Sequence, residues 1–198
     1  MKKIAIFAAT DWEVGDVVKK PEFQYKLLYN KPIEVWENPT RYLIITRIGL
    51  APASIAFSWA AQNLDFDLAI NIGAVGAAAE GKSHEHLGKY YDITKVSCIE
   101  PYCDEESFEI EQFETPAAFT ATLATASRPV ISAEDRAFAA KFGELVDMEG
   151  WTLAKAAKTF SKRLRMRKIL SDFSPDCDLH GDIMSICKAL PLLENFWI

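Results

Sequence analysis

In the stretch Leu145-Val146-Asp147-Met148-Glu149-Gly150-Trp151, a short apolar run gives way to a helical pattern. Leu145 and Val146 read as a strand, while Trp151, Leu153, Ala154 and Ala157 recur at helical spacing. Glu149 therefore stands where a strand ends and a helix begins. In open α/β sheets, ligands bind in the crevice outside the carboxyl ends of the strands. The spacing thus places an acidic side chain on a ligand-facing edge.

The flanking sequence supplies the rest of such a fold. Lys3 to Ala9 is a near-continuous apolar run and reads as a buried first strand. Tyr25 to Tyr29 and Ile33 to Glu37 alternate across Asn30-Lys31-Pro32, which is a hairpin signal. Tyr42 to Thr46 reads as a strand. Pro52 to Gln62 reads as a helix with Ile55, Trp59 and Ala60 on one face. Leu68 to Ile72 is a buried strand that ends in Gly73-Ala74-Val75-Gly76. Residues 79–89 read as loop, Tyr91 to Cys98 as a strand, and residues 103–116 as an edge strand or flap. Ala133 to Phe142, Gly150 to Phe160 and His180 to Leu190 read as helices, and Arg165 to Leu170 as a late strand. Together these predict a mixed central β-sheet flanked by helices, an α/β domain spanning residues 1–198.

Composition narrows the function. Charged residues make up 25% and the net charge is −6, which opposes a nucleic-acid partner. No stretch reaches the roughly 20 apolar residues of a membrane span. The basic start Met1-Lys2-Lys3 leads into an apolar run that Asp11 ends, too short for a secretory signal. Cys98, Cys103, Cys177 and Cys187 are too sparse for a disulfide scaffold. The expectation is a cytoplasmic protein with reduced thiols, acting on a small molecule.

Three acids stand at strand exits: Glu13, Glu149 and Asp172. Carboxylates converging on one cleft can supply a general base, a general acid and a hydroxyl acceptor. The plainer reading makes Glu13 and Glu149 first-turn helix acids and Asp172 a cap or turn residue. Gly73-Ala74-Val75-Gly76 matches neither the dinucleotide nor the P-loop fingerprint, so it reads as a strand exit that lets the backbone approach a ligand or a neighbour. His84, His86, Cys98 and Cys103 lack structural-zinc spacing and read as loop histidines and ordinary thiols. His180 reads as structural. The basic run Lys162 to Lys168 reads as a solvated strand entrance. No metal and no cofactor are expected.

Four ordered segments resemble the nucleoside phosphorylase/nucleosidase superfamily, with methylthioadenosine/S-adenosylhomocysteine nucleosidase and futalosine hydrolase nearest in pattern. The opening Lys3-Ile4-Ala5-Ile6-Phe7-Ala8-Ala9-Thr10-Asp11-Trp12-Glu13-Val14 resembles that family's first strand and acidic turn. Ile70-Asn71-Ile72-Gly73-Ala74-Val75-Gly76 is similar to its I-N-x-G-x-x-G segment, Val146-Asp147-Met148-Glu149-Gly150 to its V-E-M-E-A motif, and Leu170-Ser171-Asp172 to its I-S-D motif. The resemblance implies a three-layer sandwich, a homodimer and hydrolysis of an N-glycosidic bond. It implies that Glu13 deprotonates the attacking water and that Glu149 binds ribose hydroxyls, with Met148 packed on the sugar. Ile48 and Ala74 would lie near the sugar, and Val130 beside the purine. Asp172 would protonate or hydrogen-bond the purine at N7, a role for which burial would have to raise its pKa.

Departures from the pattern shape the expected substrate. Ala74 stands where a serine is usual, Asp147 is shorter than the usual glutamate, and residues 118–132 match poorly. Phosphorylase relatives carry arginine and serine in the segment aligned with Asn71 and Ala74, so hydrolysis is favoured over phosphorolysis. The implied substrate is a purine nucleoside substituted at the 5′ position and releasing adenine or hypoxanthine. The departures lean towards aminofutalosine or futalosine, in menaquinone biosynthesis, over methylthioadenosine or S-adenosylhomocysteine. A reading of another class is a non-catalytic nucleoside-binding protein on the same fold.

Overall fold

The computed structural model describes residues 2–78, 86–103 and 106–173. Its strand β1 (Lys3–Ala8) lies between two parallel neighbours, β4 (Arg41–Ile45) and β5 (Phe66–Ala77). The apolar run of β1 is buried on both faces, as parallel strands are when helices cover both sides. Ala5 and Phe7 point into one core with Ala53, Ala56, Phe57, Ala60 and Phe66. Ile6 and Ala8 point into a second core with Val14, Val17, Leu43, Ile45 and Ile72. Phe7 stacks on Phe57 with ring centroids 4.8 Å apart.

The first core is covered by helices α2 (Leu50–Asn63) and α4 (Gly150–Thr159). The short helix α1 (Asp11–Val14) and the 3-10 turn that follows it cover the second. The buried face of α2 is Ala53, Ala56, Phe57 and Ala60, an i, i+3, i+4, i+7 stripe. Ile55, assigned to that face from sequence, is instead 62% exposed. Beyond β4 the hairpin forms as expected, with β2 (Lys26–Tyr29) antiparallel to β3 (Glu34–Glu37).

On the other side of β1 the sheet closes on itself. The order runs β10 (Arg163–Asp172), β6 (Tyr90–Cys98), β8 (Phe119–Thr125), β9 (Leu145–Asp147) and β5, and β5 also pairs with β10. The mixed sheet flanked by helices is as the sequence predicts, but four details differ. First, β5 does not end at Ile72. It continues through Gly73-Ala74-Val75-Gly76, because β10 and β9 supply hydrogen-bonding partners there. Second, β8 falls within the stretch that matches the family pattern poorly, and its Thr-Ala alternation forms a strand between β6 and β9.

Third, β10 starts at Arg163, and the basic run does not simply face solvent. Arg163 and Arg165 donate to Glu111, Arg167 donates to Asp92, and Lys168 is buried. Fourth, Cys98 and Cys103 are joined in a disulfide, contrary to the expectation of reduced thiols. A turn closed by the Cys103 N–H on Glu100 O brings their Cα atoms to 6.0 Å, within bridging range. The edge strand expected within 103–116 is β7 (Ser107–Glu109), paired with β6. Helix α3 (Ala133–Ala139) packs Ala139 against Ala78, Ala124, Ala126 and Val130.

His84, Cys177, His180, Cys187, Trp197 and the expected helix His180 to Leu190 lie outside the described residues. Among the described residues, no helix is long and apolar enough to cross a membrane.

Candidate active site

Glu13 occupies the third position of α1, just after β1. Its Oε2 accepts from the N–H groups of Ala9 (2.7 Å) and Thr10 (2.9 Å), reaching back over the helix start. That much is the behaviour of a first-turn acid. Its Oε1, however, crosses to β5 and accepts from the Ala74 N–H at 3.0 Å. An ionised carboxylate offers about four acceptor positions. Three are filled, so one remains on Oε1. Burial pushes the Glu13 carboxyl above the usual range, opposed by Lys168 and by the three N–H bonds.

The close approach to β5 depends on Gly73. A β-carbon there would sit 2.6 Å from Oε1 of Glu13 and 3.5 Å from Nζ of Lys168. Gly76 serves Asp172 in the same way, since a β-carbon would sit 2.7 Å from Oδ2. The G-x-x-G spacing on this strand therefore makes room for two carboxylates. At about 3.3 Å per residue, they are held roughly 10 Å apart along β5. Asn71, in the same segment, ties β5 to the end of β1 by donating Nδ2 to Phe7 O at 3.1 Å.

Glu149 precedes α4 in the link from β9. Its Oε1 accepts from the Gly49 N–H at 2.7 Å, so the turn between β4 and α2 closes over it. In that turn Arg47 and Gly49 have left-handed backbone angles, φ 74° and 104°. Ile48 between them is 51% exposed. The Glu149 carboxyl is pushed up to about 8. Burial is the first cause, followed by the nearby Asp147; Glu13 adds to the rise, while Lys168 and the Gly49 N–H oppose it.

Asp147 and Lys168 complete this cluster. Lys168 Nζ lies 3.0 Å from Asp147 Oδ2, with both side chains buried. Asp147 also accepts from Thr125 Oγ1 at 2.7 Å and from the Gly150 N–H at 3.0 Å. Three acids and one ammonium thus share a buried site. Burial first, and the neighbouring Asp147 second, are what raise the Glu149 carboxyl in this site.

Asp172 ends β10 beside a bulge that skips Ser171 in the pairing with β5. It is 3% exposed and lies in a buried ion pair. Arg136 Nη2 donates to Asp172 Oδ2 at 2.5 Å, and the Ser171 hydroxyl lies 2.9 Å from Oδ1. Arg136 also donates Nη1 to Ala77 O at 2.5 Å and Nε to Ile131 O at 3.4 Å. The burial expected of Asp172 is present, but the group facing it is a guanidinium.

Met148 is half-buried between Asp147 and Glu149, and Ala74 contributes its backbone N–H to Glu13. Val130 is buried with Ala78, Ala124 and Val146, one residue from the Ile131 carbonyl that Arg136 holds. The fold thus gathers Glu13 and Glu149 around Lys168 and sets Asp172 farther along β5. Sequence reasoning did not single out Lys168, Asp147, Thr125 or Arg136 as site residues. The signal for Lys168 was present, because Leu164, Met166, Lys168 and Leu170 alternate on one face of a strand. Arg136 carries no comparable signal, since its partner lies in a distant strand.

No protein-family model matches the chain, and neither does any curated protein sequence. Solved structures do match its fold. A 5′-methylthioadenosine/S-adenosylhomocysteine nucleosidase from Neisseria meningitidis, in complex with methylthio-immucillin-A, superposes with a TM-score of 0.80 at 17% identity, over 96% of this chain and 94% of that one. A futalosine hydrolase mutant of Helicobacter pylori gives 0.79 at 12% identity, over 97% and 94%. The 5′-methylthioadenosine nucleosidase of Arabidopsis thaliana gives 0.78 at 16%, over 97% and 91%. At these identities the likeness shows a shared fold.

Proposed function

We propose that this chain is a purine nucleoside N-ribohydrolase acting on a 5′-substituted nucleoside. One observation carries the reading. Glu13 is fixed by three backbone N–H groups with an acceptor position left on Oε1, beside Glu149 and Lys168. That is the arrangement needed to hold and deprotonate a water in a buried site.

In the proposed reaction, the water oxygen attacks C1′ and its proton passes to Glu13. The C1′–N9 bond breaks and its electron pair goes to the purine, which takes up a proton from solvent, giving free base and the 5′-substituted ribose. The transition state has oxocarbenium character. Glu149 takes the ribose hydroxyls and its negative charge, when present, stabilises the sugar cation. Met148 and Ile48 flank the sugar, Ala74 borders the water, and Asp172 and Val130 border the base.

Ala74 and the divergent 118–132 stretch lean the reading towards aminofutalosine or futalosine, a step in menaquinone biosynthesis. The test is liberation of free base, resolved by chromatography, from aminofutalosine, futalosine, methylthioadenosine and S-adenosylhomocysteine without added phosphate. Base release from the futalosine pair alone supports the lean. Release from the methylthioadenosine pair alone makes the chain a methylthioadenosine/S-adenosylhomocysteine nucleosidase. Binding without release of base from any of them overturns the enzyme reading. A dependence on phosphate overturns hydrolysis.

The reading includes a homodimer, with the exposed Ile48 and Ile55 beside and on α2 in the contact. Light scattering that gives the monomer mass at micromolar concentration would refute it.

A further inference from the structure

Arg136 is the one buried guanidinium at the base end of the candidate site among the described residues. It touches every element proposed to border the purine: Asp172 at the end of β10, Ala77 O on β5, and Ile131 O next to Val130. A guanidinium has five N–H groups. Its contacts account for three, which leaves one on Nη1 and one on Nη2 without a partner among the described residues. A side chain only 5% exposed gains little from water for the other two.

The Hoogsteen edges of the two purine classes differ in sign. A 6-oxopurine offers two acceptors, N7 and O6; a 6-aminopurine offers an acceptor at N7 and a donor at the amino group. Two guanidinium N–H groups match the first edge. Against the second, one of them meets another donor. Asp172 is engaged on both oxygens, Oδ2 by Arg136 and Oδ1 by the Ser171 hydroxyl.

We propose that Arg136 is a specificity-determining residue that selects a 6-oxopurine as the leaving base, by donating to N7 and O6. This rests on the nucleoside-binding reading above. As the C1′–N9 pair moves onto the base, negative charge spreads over the purine ring and O6. The guanidinium stabilises that charge where it develops, and the departing base takes its proton from solvent.

The experiment compares substrates that differ only at position 6. kcat/KM for 5′-methylthioinosine is expected to exceed that for 5′-methylthioadenosine by roughly 10- to 100-fold, the discrimination typical of a bidentate base contact. Calorimetry should show hypoxanthine binding more tightly than adenine. Glutamine reads the amino edge, donating to N7 and accepting from the amino group. Arg136→Gln should therefore reverse the preference, and Arg136→Lys, which keeps a cation beside Asp172, should narrow it without reversing it.

A wild type that favours the 6-amino compounds, or treats both alike, overturns the proposal. So does Arg136→Gln, or Arg136→Lys should the glutamine variant not fold, if it lowers both activities equally, as a structural role would. If hypoxanthine binds better than adenine but no nucleoside is cleaved, the hydrolase reading fails and this inference stands. If neither base binds at millimolar concentration, the inference fails.

Discussion

Lys168 Nζ lies 3.0 Å from Asp147 Oδ2, and each side chain is 1% exposed. The pair joins β10 to β9 beneath the candidate active site, and the Lys168 ammonium opposes the rise of both the Glu13 and the Glu149 carboxyls. Removing one member of a buried ion pair costs about 3–5 kcal/mol, because the other is left uncompensated. Lys168→Met should therefore lower the melting temperature by on the order of 10 °C, at about 2–4 °C per kcal/mol for a chain of this size. Adding Asp147→Asn should recover much of that loss. A calorimetric scan in which the single variant melts with the wild type would show that the pair contributes nothing.

Glu149 should make stability depend on pH in a defined direction. Its folded pKa is about 8, against an ordinary 4.5. Between these values the folded protein keeps a proton that the unfolded chain has released, so stability falls as pH rises from 4.5 to 8 and levels off outside that window. Glu149→Gln removes the titration. Its melting temperature relative to wild type should climb by several degrees between pH 5 and pH 8, then stay constant. A constant difference across that range would contradict the raised pKa.

The same ionisation should appear in the kinetics of the proposed hydrolase. Deprotonating Glu149 places the charge that favours a sugar cation, so kcat/KM should rise with pH and level off above about 8. Asp147 first and then Glu13 act on Glu149, so the measured value belongs to the cluster rather than to one carboxyl. A flat profile from pH 6 to pH 9 would argue against a protonated Glu149 in the free protein.

Gly73→Ala and Gly76→Ala test whether β5 must yield space to the two carboxylates. The new β-carbons would lie 2.6 Å from Glu13 Oε1 and 2.7 Å from Asp172 Oδ2. Each carboxylate must swing away. Gly73→Ala should lower kcat by about 100-fold or more, as a misplaced catalytic group does. Gly76→Ala should weaken base binding more than it slows the chemistry. Steady-state kinetics that leave both variants at wild-type rates would remove the steric argument.

Glu13→Gln should reduce base release by roughly 100- to 10,000-fold, the range for loss of a general base. Glutamine can accept on one atom only, so its amide nitrogen would face N–H donors now satisfied by the carboxylate. Hypoxanthine or adenine affinity should change little, because the base end lies farther along β5. Undiminished turnover would exclude Glu13 as the base.

Much of this fold is local and therefore readable. The apolar run of β1, the hairpin around Asn30-Lys31-Pro32, and the passage from Leu145-Val146-Asp147 into α4 each declare themselves by periodicity and turn residues. β8 was less visible, since Phe119-Thr120-Ala121-Thr122-Leu123-Ala124-Thr125 has small residues that become a strand through pairing with β6 and β9. The end of β5 was misplaced for a related reason: glycines that look like an exit remain extended because β10 pairs with Gly73 and both β10 and β9 pair with Gly76.

The sequence by itself determined where the acids stand: Glu13 and Glu149 each follow a strand and Asp172 ends one, positions set by local chain direction. Only the tertiary structure decided what faces them. Lys168 reaches Asp147 across the sheet, Gly49 closes on Glu149, and Arg136 meets Asp172 from a helix 36 residues earlier. Those pairings arise from strand order and burial, which bring together residues far apart in the chain and leave no mark in any local pattern.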